Sequence, residues 1–143
     1  MKIIKLVSIL TFVLILVSCR AAPKIDDGVI ISEIQDYYSN KLQIQVDLTD
    51  FGMGIVPLPA STFFQVSDIA IVDKSISGNG AVVIVRLKFN VNEDIAPESG
   101  NGVALKKYFG TLTLERTFVQ ERGFNFLKYE SGNWRLDKEL DKN

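Results

Sequence analysis

The chain has 143 residues, 47% of them apolar, with 16 basic and 17 acidic side chains, a single cysteine and no histidine. The missing histidine excludes every Ser-His and Cys-His nucleophile pair, the usual general base near neutral pH and the commonest transition-metal ligand. One cysteine excludes an intrachain disulfide and any cysteine-based zinc cluster.

Residues 1–18 have the three parts of an export leader: a basic start at Lys2 and Lys5, an apolar block from Leu6 to Val17, and small Ser18 at the cut. The apolar block is shorter than the ~20 residues that span a bilayer. Leu16-Val17-Ser18-Cys19 resembles the lipobox of bacterial lipoproteins. That resemblance implies cleavage before Cys19, a diacylglyceryl thioether on its sulfur, and a membrane anchor at the new N-terminus. Each buried acyl methylene adds about 0.8 kcal/mol of membrane affinity, so two or three chains hold a protein firmly. Arg20 stands where an aspartate would resemble the inner-membrane retention signal, so the resemblance implies the periplasmic leaflet of the outer membrane in a two-membrane envelope. The expected organisation is a leader (1–18), a short lipidated tether (19–26) containing Pro23, and one α+β domain (27–143).

Cleavage leaves 125 of the 143 residues, enough for a single core. Removing Lys2 and Lys5 leaves 14 basic against 17 acidic residues, a net charge of −3. A mildly acidic body without a basic cluster argues against nucleic acid as a partner. No EF-hand spacing or solenoid repeat occurs, and neither a cofactor nor a metal is implied.

Asp26 or Asp27 caps a predicted helix whose apolar Ile30, Ile34, Tyr37 and Tyr38 recur at three- and four-residue steps. Glu33 and Asp36 fall on the opposite face, and Asn40-Lys41 closes the element. The period then changes to two: Leu42, Ile44, Val46 and Leu48 alternate with polar residues, which predicts a strand buried on one face.

Phe51 to Ala60 is too rich in glycine and proline for regular structure and too apolar for an ordinary loop. Phe51, Met53, Ile55, Val56 and Leu58 either plug one end of the core or form a lid or partner-docking loop.

Strands are then expected at 64–73, with Ile69 and Ile71 on one face, and at 81–91, where Val83, Val85, Leu87, Phe89 and Val91 share a side. Asn79-Gly80 marks the turn between them. After a polar connection at 92–102, residues 104–121 read as one long bent strand with Gly110 as its bulge. A final hairpin pairs 124–129 with 134–136 across Glu130-Ser131-Gly132-Asn133. Trp134 is either a core plug or a contact residue, and the charged tail 137–143 frays.

One helix and four to six antiparallel strands place the helix's apolar stripe on a curved sheet. The order of helix, then Val66-Ser67-Asp68-Ile69-Ala70-Ile71, then Ala81-Val82-Val83-Ile84-Val85, and the closing segment 126–136 resemble the cystatin-like superfamily, with its nuclear transport factor two-like branches. Active members of that superfamily, such as ketosteroid isomerase-like proteins, use a carboxylate base and hydroxyl donors inside the cone between helix and sheet. By that resemblance the candidates are Tyr37, Tyr38, Asp68, Asp73 and Tyr108. Gln43-Ile44-Gln45-Val46-Asp47 approaches the inhibitory hairpin of cystatins in composition, but it lacks the spacing and the glycine.

Two functions follow as expectations. The first is a non-catalytic, lipid-anchored module that binds or assembles an envelope protein. The alternative is a small-ligand carrier or an isomerase-like enzyme.

Overall fold

The computed structural model describes residues 23–140; Cys19 and the last three residues lie outside them. Over these residues the fold is α+β, with two α-helices, a four-stranded antiparallel sheet and a separate two-stranded hairpin.

Helix α1 (Asp27–Asp36) starts as its sequence dictates: the Asp26 carboxylate accepts a hydrogen bond from the Gly28 N–H at 2.8 Å. Ile30, Ile34 and Tyr38 are buried, and the helix ends in a π-helical turn over Tyr37–Lys41. Glu33 departs from the expected solvent face and is 8% exposed. Its carboxylate accepts from Arg135 Nη1 at 2.6 Å and from the Leu136 N–H at 3.2 Å, clamping the helix to the last strand.

Strand β1 (Gln43–Asp47) keeps the expected alternation, with Ile44 and Val46 buried. The 51–60 stretch is irregular only as far as Gly54. Ile55–Pro59 forms strand β2, antiparallel to β1, with Val46 opposite Val56 and Gln45 opposite Pro57. Its prolines are tolerated because, among the described residues, β2 pairs on one side only, so no second ladder needs their missing N–H groups.

The main sheet is a meander of β3 (Phe64–Ser77), β4 (Gly80–Val91), β5 (Thr117–Lys128) and β6 (Trp134–Glu139). Alternate residues of β4 from Ala81 to Val91 are all buried, as their spacing predicts. The β3–β4 turn is one residue earlier than expected: Gly78 takes the positive φ (58°), and Gly80 already belongs to β4.

The largest correction concerns residues 104–121. Gly100–Phe109 is a helix, α2, and only from Thr117 does a strand begin. Ser99 caps its start by accepting from the Gly102 N–H at 3.1 Å, and Gly110, left-handed at φ 65°, ends the helix rather than bulging a strand. Two i,i+4 pairs, Ala104 with Tyr108 and Leu105 with Phe109, carry the helical period.

Both helices cover one face of the sheet. Phe63, Phe64, Phe89, Phe109, Phe124 and Phe126 are fully buried between the layers. Neighbouring rings meet mostly edge to face, as Phe89 and Phe109 do with centroids 5.0 Å apart. Trp134 is a core residue, 6% exposed, and its indole N–H donates to the Lys24 carbonyl at 2.9 Å.

Candidate functional site

Along β5 the inward positions run Phe118, Gln120, Arg122, Phe124 and Phe126, so strand alternation carries a guanidinium into the apolar layer. Arg122 is 5% exposed. Along β6, Trp134 and Leu136 face inward, and plain alternation would bring Lys138 in next. The pairing instead steps from Leu136 opposite Phe126 to Lys138 opposite Asn125, leaving Asp137 as an extra residue. That bulge reverses the phase and points Glu139 into the core. The tail expected to fray is strand as far as Glu139.

The Glu139 carboxylate is where four elements meet. Oε1 accepts from Arg122 Nη1 at 3.0 Å and from the Tyr38 hydroxyl at 3.3 Å. Oε2 accepts from the Tyr108 hydroxyl at 2.9 Å and from Tyr37 at 3.4 Å. The π-helical turn brings the consecutive Tyr37 and Tyr38 to one group, with rings 5.2 Å apart and at 76°. Arg122 also donates through Nη2 to Gln120 at 2.9 Å and lies 5.0 Å over the Tyr108 ring. Its Nε has no hydrogen-bond partner among the described residues.

A carboxylate offers about four lone-pair sites, and these four donors fill them. Burial, reinforced by the negative charge of Glu139, pushes the Tyr37 hydroxyl up to about 12. Burial pushes Tyr38 and Tyr108 higher still, reinforced for Tyr38 by Tyr108 and for Tyr108 by Glu139. All three phenols therefore stay protonated as hydrogen-bond donors at neutral pH, holding the carboxylate in place.

A raised tyrosine pKa in the folded state stabilises the fold fully below the ordinary value of 10.0 and is lost as pH rises through the folded value. Stability is thus expected to be flat below pH 10. Above 10 it falls, mostly through Tyr38 and Tyr108, with a smaller share from half-buried Tyr37, whose hydroxyl water partly screens. Urea unfolding at stepped pH, with phenolate absorbance followed in parallel, checks this; a flat profile to pH 12 contradicts the burial of the cluster.

Of the five residues suggested by resemblance, the structure gathers Tyr37, Tyr38 and Tyr108. Asp68 and Asp73 stay exposed on β3, where Asp68 is paired with Lys88 and Asp73 with Ile84 across the ladder. Sequence reasoning missed Gln120, Arg122 and Glu139. A polar pair set in the inward phase of Phe118, Phe124 and Phe126 was a usable signal for the first two. For Glu139 there was none, because the bulge breaks the phase.

A second feature lies at the tip of the β1–β2 hairpin. Phe51, Met53 and Ile55 are 77%, 62% and 67% exposed, while Val56 and Leu58 are half-buried. Beside it, between β1 and α2, runs a groove of 480 Å³ lined by Ile55, Val103, Asp47, Asp50, Glu98 and Lys107 among others.

Comparison with protein-family models, curated proteins and solved structures returns no match to this chain.

Proposed function

We propose that this is a lipid-anchored, non-catalytic module of a bacterial cell envelope, which holds a protein partner through the β1–β2 hairpin. The observation that carries the reading is the hairpin tip: Phe51, Met53 and Ile55 lie in solvent on a domain whose other aromatic residues are largely packed away. Apolar groups clustered at one exposed point are a common mark of an interaction surface. The likeness of Leu16-Val17-Ser18-Cys19 to a lipobox supports the anchor, and with it export and placement on the periplasmic side of the outer membrane if the envelope has two. A cystatin-like or nuclear transport factor two-like fold is supported by a helix lying across an antiparallel meander. Helix α2 between β4 and β5 is an addition to that pattern.

The convergence of three phenols on a carboxylate favours a second reading, an isomerase-like or ligand-binding site. It ranks second because the carboxylate's acceptor sites are already filled from within the fold, by Arg122 and the phenols themselves.

Two experiments test the first reading. Cys19→Ser should abolish incorporation of labelled palmitate and free the protein from membranes; persistent labelling defeats the anchor. Ile55→Glu should weaken capture of the native partner while changing stability by no more than about 0.5 kcal/mol, as expected for a surface position. Unaltered capture removes the hairpin from the interface.

A further inference from the structure

We infer that the groove between the hairpin and α2 receives a basic, apolar-anchored segment of a partner protein, at the end of the domain opposite its tether. This rests on the docking reading above and adds to it the partner's chemistry and side of approach.

The tether end is fixed by two contacts. The Lys24 carbonyl accepts from Trp134 Nε1, and Asp27 pairs with Lys74 near the end of β3. The β3–β4 and β5–β6 turns meet at this same end, where the Lys128 N–H donates to the Asn79 carbonyl at 2.8 Å. The hairpin leaves the fold at the other end of the sheet. There Phe64 pairs with Val91, the Asn92 N–H donates to the Phe63 carbonyl, and the Ala60 N–H donates to the Leu42 carbonyl. Helix α1 and its π turn separate the two ends by about 20 Å. A chain tethered just before Lys24 therefore presents the hairpin away from the bilayer, and a protein rather than the lipid surface meets the exposed tip.

Backbone chemistry decides how the partner can bind. The Ala60-to-Leu42 and Leu48-to-Gly54 bonds set the ladder's parity, so Ile44 with Leu58 and Val46 with Val56 are the hydrogen-bonded pairs. Positions 55, 57 and 59 then turn their backbone groups to the free edge of β2. Two of the three are prolines, Pro57 and Pro59, which have no N–H to offer. Strand addition at this edge of β2 is blocked, so a partner meets β2 through its side chains.

The groove's charges select the partner. Ile55 and Val103, 67% and 53% exposed, provide apolar surface. Among its described lining residues Asp47, Asp50 and Glu98 outnumber Lys107, with Lys106 beside Glu98. Hydrogen bonds from Thr49 hold the Asp47 carboxylate below its usual range, keeping it ionised. Lys106 reaches Glu98 at 3.3 Å, but that side chain is 89% exposed and remains accessible to a second cation. Such a surface complements lysine or arginine beside apolar side chains and repels an acidic segment.

The test uses the full chain in nanodiscs of zwitterionic lipid and two fluorescent twelve-residue peptides, one alternating leucine with lysine and its twin alternating leucine with glutamate. Binding is read by anisotropy against empty nanodiscs. The basic peptide should bind at least about tenfold more tightly than the acidic one, and the combination Asp50→Lys, Glu98→Lys should erase or invert that preference. The control combination Asp68→Lys, Asp73→Lys makes the same charge change on β3 and should leave it intact. Equal binding of the two peptides, binding of neither, or equal effects of the two combinations overturns the inference. A photoreactive residue at position 51 in cells separates this from the underlying reading. Discrete protein adducts there, with no basic preference in vitro, sink the groove chemistry alone, whereas absence of adducts sinks the docking function itself.

Discussion

Glu139→Ala is expected to lower the stability of the folded chain by about 3 kcal/mol, moving thermal unfolding down by about 10 °C. The change removes the partner of a guanidinium that is 5% exposed and strips three phenol hydroxyls of their shared acceptor. What it leaves is an uncompensated buried charge, since Gln120 offers Arg122 one neutral acceptor. The double variant Arg122→Met, Glu139→Leu should cost less than the two single changes added together, because it leaves no unpaired buried charge, although the three phenols still lose their acceptor. Urea unfolding of the two single variants and the double variant gives the coupling energy directly. If Glu139→Ala costs less than about 0.5 kcal/mol, as substitutions in a frayed tail do, the cluster does not hold the four elements together.

Gly102→Ala is expected to destabilise by about 2 kcal/mol, the range for overpacking in a tight interior. Helix propensity alone predicts the reverse, a gain of up to about 1 kcal/mol when glycine inside a helix becomes alanine. The sign is decided by what surrounds the residue. Gly102 is buried in the first turn of α2, and a methyl group there would meet the Pro97 carbonyl oxygen at 2.6 Å and clash with the Ala96 carbonyl oxygen. Both are backbone atoms. The Ala96 carbonyl is also held by Ser99, through its N–H at 3.1 Å and its hydroxyl at 2.6 Å, so it cannot swing aside without disturbing the helix cap. Differential scanning calorimetry settles the matter: a higher melting temperature for the alanine variant would mean that the loop at 96–99 does not pack against α2 as described.

Much of the fold was legible because its signals are local. The Asp26 cap, the Ile30/Ile34 stripe and the alternation through β1 and β4 each need only neighbours in the chain. Helix α2 was not read correctly, because Gly100-Asn101-Gly102 opens it with poor helix formers. The Ser99 and Gly110 caps were the counter-signal, with Lys106 and Lys107 placed to suit a helix C-terminus.

By itself the sequence determined which chemistries are unavailable, through the absence of histidine and the single cysteine. It also determined the apolar phase of most strands and the presence of an apolar 51–60 stretch. Only the tertiary structure decided that this stretch contains an edge strand with a solvent-facing tip, and that Glu139 enters the core. Glu139 lies 17 residues beyond Arg122 and 102 beyond Tyr37. A bulge at Asp137, a π turn at the end of α1 and the seating of α2 must all be in place before these groups meet. None of those is encoded by a short-range period, because each is a compromise between one segment's geometry and the packing of others.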